Sequence, residues 1–336
     1  MNQILGTLPF RSADASRVML GGGALVLFAA AALAGWAPIS FSIATVFLFA
    51  GPHNWIEARY FFARLPARWG RLSGYFTFAF AGVFGLTAFF AALPWMADSG
   101  DWDQERWDTA LALWSSAVVI WIALLIQVRS RQNPRREWGW TMPVAFLAIA
   151  GAWIAPALWA LGLVYAHPLM ALWIFDRELT RRHVPWRGAY RACVAFVPLF
   201  LIILWARLAN APHLAGDDAL RFRITDHAGA AILPNVSSHL LVATHTFLEM
   251  VHYAIWLIAI PLVGIAGAPW KLNAIPLARR SPSWRTVVAV TLALGLFAVV
   301  VLWTAFLVDY PLTRDIYFTV ALLHVLAEVP FLLRAL

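Results

Sequence analysis

One cysteine, Cys193, is all the thiol chemistry that this 336-residue chain possesses. An internal disulfide, a Cys-ligated zinc site and an iron–sulfur cluster are therefore excluded. Charge is scarce as well, at 12% of residues, and no stretch has the composition of a soluble domain. The chain has no convincing internal repeat. The histidine boxes of membrane fatty-acid desaturases and hydroxylases, HxxxH and HxxHH, are absent, which argues against membership of that group without arguing against iron.

What the chain has instead is apolar sequence. It is 62% hydrophobic, with a mean hydropathy of +0.72, well beyond what a soluble core needs. The apolar residues form long blocks, among them 18–35, 75–96, 107–128, 189–205 and 286–308. Each reaches or approaches the roughly 20 residues that cross a bilayer core. The expectation is an all-α, polytopic transmembrane bundle of about ten spans, one transmembrane domain over 1–336. The spans fall near 17–36, 38–60, 74–96, 107–128, 142–157, 158–178, 189–208, 236–264, 286–308 and 316–335. The first block follows Arg11 and Arg17 and ends in Ala-Leu-Ala-Gly at 32–35. It reads as a retained helix, since it is long for a leader peptide. Gly151, Pro156 and Gly162 blur the boundary of the fifth and sixth spans, and the long 209–235 connection has room for a short re-entrant or amphipathic piece.

Loop charge orients these spans. Arg11 and Arg17, then Arg59, Arg64, Arg68 and Arg71, then Arg129, Arg131, Arg135 and Arg136 fall on one side. Arg177, Arg181, Arg182, Arg187 and Arg191, and finally Lys271, Arg279, Arg280 and Arg285, join them. The other side receives Asp98, Asp101, Asp103, Glu105, Asp108, Asp217, Asp218, Asp226, Asp309 and Asp315. The positive-inside rule makes the basic side cytoplasmic and places both termini there, as in a bacterial inner membrane. The net charge of +8 is explained by topology and is no sign of nucleic-acid binding. The nineteen tryptophans lie mostly near span ends, as interfacial anchors do.

Against this background the intramembrane ionisable groups stand out, because charge at membrane depth is costly and marks function. Six of nine histidines lie within spans: His53, His167, His239, His245, His252 and His324. Glu57, Asp176, Glu249 and Glu328 lie there too. Three of the six glutamates each follow a histidine by four residues: His53 and Glu57, His245 and Glu249, His324 and Glu328. Residues four and seven apart share a helix face, so His245, Glu249 and His252 point together within about 60° of arc. His239 lies about 120° from His245 on the same period and is left out. Asp176 is nine residues after His167, roughly on the opposite face.

The expected site therefore holds His53, Glu57, His167, His245, Glu249, His252, His324 and Glu328, presented by the second, sixth, eighth and tenth spans. Glu249 and Glu328 are the candidate catalytic carboxylates. Histidine and carboxylate without cysteine or clustered methionine suit Fe, Mn or Zn. Seven or eight ligands exceed one ion, so two ions are expected, as in di-iron carboxylate bundles. Tyr165, Tyr253 and Asn54 lie close in sequence as candidate hydrogen-bonding neighbours. The reading is a non-haem, di-iron oxidoreductase or oxygenase acting on a lipophilic substrate from the bilayer, with an electron donor on the cytoplasmic side. Three other readings use the same groups: a metal-ion or proton transporter, a haem protein with axial histidines, and His–Glu pairs that only pack helices.

Gly51-Pro52-His53 followed by Glu57, with later spans carrying His245, His252 and His324, resembles the Brp/Blh family of membrane carotenoid-cleaving oxygenases. That resemblance implies a multi-span protein whose intramembrane histidines bind iron. The family's Pro-His segment continues with an Asp-His pair, where this chain has Asn54-Trp55-Ile56-Glu57.

Overall fold

The computed structural model describes residues 12–132, 138–182, 184–214, 216, 218–263 and 271–335. Arg11, Arg135, Arg136 and Asp217, which contribute to the orientation, lie outside the described residues. Among the described residues every regular element is a helix. In chain order these are α1 (Ser12–Trp36), α2 (Pro38–Arg64), α3 (Ser73–Ser99), α4 (Gln104–Gln132), α5 (Thr141–Ile154) and α6 (Pro156–Arg181). There follow α7 (Arg187–Leu208), α8 (Ala219–His227), α9 (Ser238–Ala254), α10 (Ile260–Val263), α11 (Pro282–Val308) and α12 (Tyr310–Ala335).

Nine helical segments among the described residues are long and apolar enough to cross a membrane, α9 and α10 counting as one. The protein is an all-α polytopic helical bundle. The fifth expected span, α5, has 14 residues, or about 21 Å of helix against the roughly 30 Å of a hydrocarbon core. Its boundary with α6 falls at Ala155, whose φ of −148° and ψ of 72° interrupt the helix. The cause is Pro156, which drives the residue before it out of the α region and itself occupies the first helical position. The 209–235 connection carries α8, capped by Asp218, whose side chain accepts from the Arg221 backbone N–H at 2.9 Å. Ser281 caps α11 in the same way through the Trp284 N–H.

The chain divides into two compact units, Met1–Ala63 with Pro168–Pro311, and Arg64–His167 with Leu312–Leu336. In the first, α2 is fixed to α11 and to the first residue of α12 by side chains that donate to backbone carbonyls. Trp55 Nε1 reaches Leu292 O at 2.9 Å, Trp303 Nε1 reaches Phe47 O at 2.8 Å and Tyr310 Oη reaches Ile43 O at 3.3 Å. Gly51 lies where a Cβ would sit 3.1 Å from Val299. The same logic joins α1 to α7, where a Cβ on Gly23 would come within 2.7 Å of Cys193 Sγ. Small residues at crossings let membrane helices approach closely.

In the second unit Gly82 of α3 makes room for Trp121 of α4, whose Nε1 donates to Phe78 O at 3.3 Å. Trp114 donates to Leu86 O at 3.0 Å, Trp153 to Ser116 Oγ at 3.1 Å, and the Tyr75 hydroxyl to Pro330 O at 2.7 Å. Several tryptophans thus act as helix-to-helix donors, beyond the interfacial role that their number suggests.

Candidate metal centre

The first cluster is built on α2 and α9. His53 and Glu57 sit one turn apart on α2 and are 1% and 0% exposed, and His252 on α9 is 2% exposed. Each offers a donor atom lying within 4.8 Å of those of the other two. The His53 and His252 rings meet edge to face with centroids 5.3 Å apart.

Local sequence sets these positions. Pro52 has no N–H to give to the carbonyl four residues back and opens the ladder of α2 at this turn. In that turn His53 Nδ1 lies 2.9 Å from Phe49 O. A carbonyl only accepts, so Nδ1 carries the proton and Nε2 carries the lone pair. This is the arrangement that orients imidazole ligands in metal sites. On the other side, α9 passes into a π-helical turn, Ile255–Ala259, directly after His252 and Tyr253. Pro261, unable to donate to the carbonyl of Leu257, accounts for the loosened turn. Single π turns are frequent at functional sites.

An aromatic wall surrounds the cluster. Tyr253 lies against His53 with ring centroids 4.6 Å apart. Trp256, fully buried, meets His252, Tyr60 and Phe61 edge-on at 6.4, 5.5 and 5.9 Å. Of the neighbours expected from sequence, Tyr253 has this direct contact, while Tyr165 and Asn54 are half-buried.

Further intramembrane ionisable side chains belong to the other unit. His167 Nδ1 of α6 is 3.3 Å from Glu328 Oε2 of α12, and Glu328 is fully buried. The His167 and His324 rings meet at 5.2 Å. Sequence spacing pairs Glu328 with His324 along one helix, and the fold adds His167 from another.

His245 and Glu249 stand apart from the first cluster. Their Nδ1 and Oε2 are 3.6 Å apart, and the His245 ring meets His227 of α8 at 5.0 Å. His227 has no signal in the sequence, since it lies outside every expected span. His239 Nε2 bonds Gly35 O at 2.9 Å, tying α9 to α1. Asp176 is held by Arg187 at 2.7 Å and Arg191 at 3.0 Å. These two are thereby engaged in packing and in the charged end of α6. Glu178 is a further buried carboxylate that spacing does not mark. It is 1% exposed and accepts from the Tyr60 hydroxyl at 3.1 Å and from Arg182. Its position at a span end, beside arginines, gives it the look of a solvated charge.

No family model matches this chain, and neither the curated proteins nor the solved structures contain a match to it. The site is therefore read from its donors. His53, Glu57 and His252 bring together two imidazoles and one carboxylate, a donor set of the kind found in facial-triad metal centres.

Proposed function

We propose that this chain is an integral-membrane non-haem metal oxidoreductase that binds two ions, iron by preference, and oxidises a lipophilic substrate entering from the bilayer. The observation that carries the reading is the burial of His53, Glu57 and His252 with donors within 4.8 Å of one another, since ionisable groups at such depth are costly and mark function. The residues fit a metal by donor chemistry: nitrogen and oxygen without sulfur suits Fe, Mn or Zn. His53 through Nε2, His252 and Glu57 would hold one ion. His167, His324 and Glu328 would hold the other. Bound iron supplies one-electron redox chemistry and O2 activation. Glu57 neutralises part of the cation's charge, and the Phe49 carbonyl orients the His53 ring. Trp256, Tyr60, Phe61 and Tyr253 keep water from the centre and offer an apolar, aromatic surface to a lipophilic substrate. Basic residues at the span ends would face the cytoplasm and an electron donor there.

The test is elemental analysis of detergent-purified protein beside Glu57→Gln and His252→Ala variants, followed by substrate-dependent oxygen uptake. The reading requires no fewer than about two ions per chain and loss of at least one in each variant. A native protein without stoichiometric metal, prepared without chelator, overturns it. Ion flux in proteoliposomes without oxygen consumption would favour transport instead.

A further inference from the structure

We infer that Tyr60, in contact with Trp256 on one side and bonded to Glu178 on the other, is a redox-active tyrosine through which electrons reach the His53–Glu57–His252 centre. The inference rests on that centre holding iron, as proposed above. Spacing builds the path. Tyr60 follows Glu57 by three residues on α2, and Trp256 follows His252 by four, so each ring lies about one turn beyond a proposed ligand. The Trp256 ring meets that of His252 with centroids 6.4 Å apart and that of Tyr60 at 5.5 Å, both within the range of aromatic contact. Trp256 is fully buried and Tyr60 is 4% exposed. Tryptophan and tyrosine are the aromatic side chains that give up a single electron most readily, and here they stand in series.

The far end of the path supplies what an oxidised phenol needs, a base for its proton. The Tyr60 hydroxyl donates to Glu178 Oε2 at 3.1 Å. Glu178 is buried, and its other oxygen, Oε1, accepts from Arg182 Nε. Arg182 is half-buried and belongs to the basic group that follows α6, on the side where the electron donor is expected. Electrons and protons balance in one step and its reversal. One electron passes from Tyr60 by way of Trp256 to dioxygen at the centre. The phenolic O–H bond breaks and a new O–H bond forms on Glu178, leaving a neutral tyrosyl radical. A one-electron carrier of the flavoprotein or iron–sulfur class then returns the electron from the basic side, and the proton goes back from Glu178 to Tyr60. Tyr190 shows the contrast. It is as well buried as Tyr60, but its hydroxyl donates to the Leu172 carbonyl at 2.6 Å, which is too weak a base to take the proton.

The test is rapid-freeze electron paramagnetic resonance on the full-length detergent-solubilised protein, loaded anaerobically with Fe²⁺ and mixed with O2, with bound iron measured in every sample. The parent gives a tyrosyl signal that narrows when the protein is made with ring-deuterated tyrosine. Tyr60→Phe loses the signal at unchanged iron content. Glu178→Gln loses it as well, because the amide keeps an acceptor for the hydroxyl but is no base for its proton, whereas a purely structural bond would survive that exchange. Tyr190→Phe keeps the signal. Iron-loaded parent without a tyrosyl signal overturns the relay and leaves the centre standing. A signal that persists in Tyr60→Phe, or is as strong in Glu178→Gln as in the parent, overturns it too. If the parent binds no iron, the centre itself fails and the relay falls with it.

Discussion

His53 donates from Nδ1 to the backbone carbonyl of Phe49 at 2.9 Å, and this single bond decides which nitrogen of the ring is available to a metal. A glutamine at position 53 places its amide oxygen near where Nε2 lay, whereas an asparagine reaches only as far as Nδ1. We expect His53→Gln to retain metal with affinity lowered about 10- to 100-fold, the range seen when ligand orientation is disturbed. His53→Asn should lose the ion. Competition titration with a chromogenic chelator measures both, and equal binding by the two variants would refute the tautomer assignment.

Tyr60 joins α2 to α6 through the Glu178 carboxylate at 3.1 Å. Removing the hydroxyl leaves a carboxylate that is 1% exposed short of a donor. Tyr60→Phe should therefore cost about 1–3 kcal/mol, read as a lower thermal midpoint of the detergent-solubilised protein. The same substitution should leave metal content unchanged, since Glu178 is outside both clusters.

Gly82 cannot carry a side chain without moving Trp121, because a Cβ there would overlap the indole Nε1. Gly82→Ala should destabilise by about 1–3 kcal/mol, as overpacked sites do. Gly85, on the same helix with open space where a Cβ would sit, is the control: Gly85→Ala should be neutral or slightly stabilising by helix propensity. Thermal midpoints of the two variants in the same detergent decide between these outcomes.

Orientation is open to direct labelling. With Cys193 replaced by alanine, single cysteines at Ser99 and Ser283, both exposed, report the acidic and basic sides. A membrane-impermeant maleimide should label Ser99→Cys in intact cells and Ser283→Cys only after permeabilisation. The opposite pattern would reverse the topology drawn from the positive-inside rule.

That this is an all-helical membrane protein is legible from the order of residues alone. Blocks of about 20 apolar residues have no other stable form in lipid, where each backbone polar group needs a partner within its own segment. That His53 with Glu57, and His245 with Glu249, share helix faces is equally legible, because a 3.6-residue period is a local property. Which faces meet is not. Helix contacts depend on axial rotation and register, fixed here by bonds such as Trp55 to Leu292 and Trp303 to Phe47, whose partners are 237 and 256 residues apart. Hence tertiary packing was needed to place His252 beside His53 and to bring His167 to Glu328. It also set the His245 ring against His227, a residue whose neighbours in sequence carry no such signal.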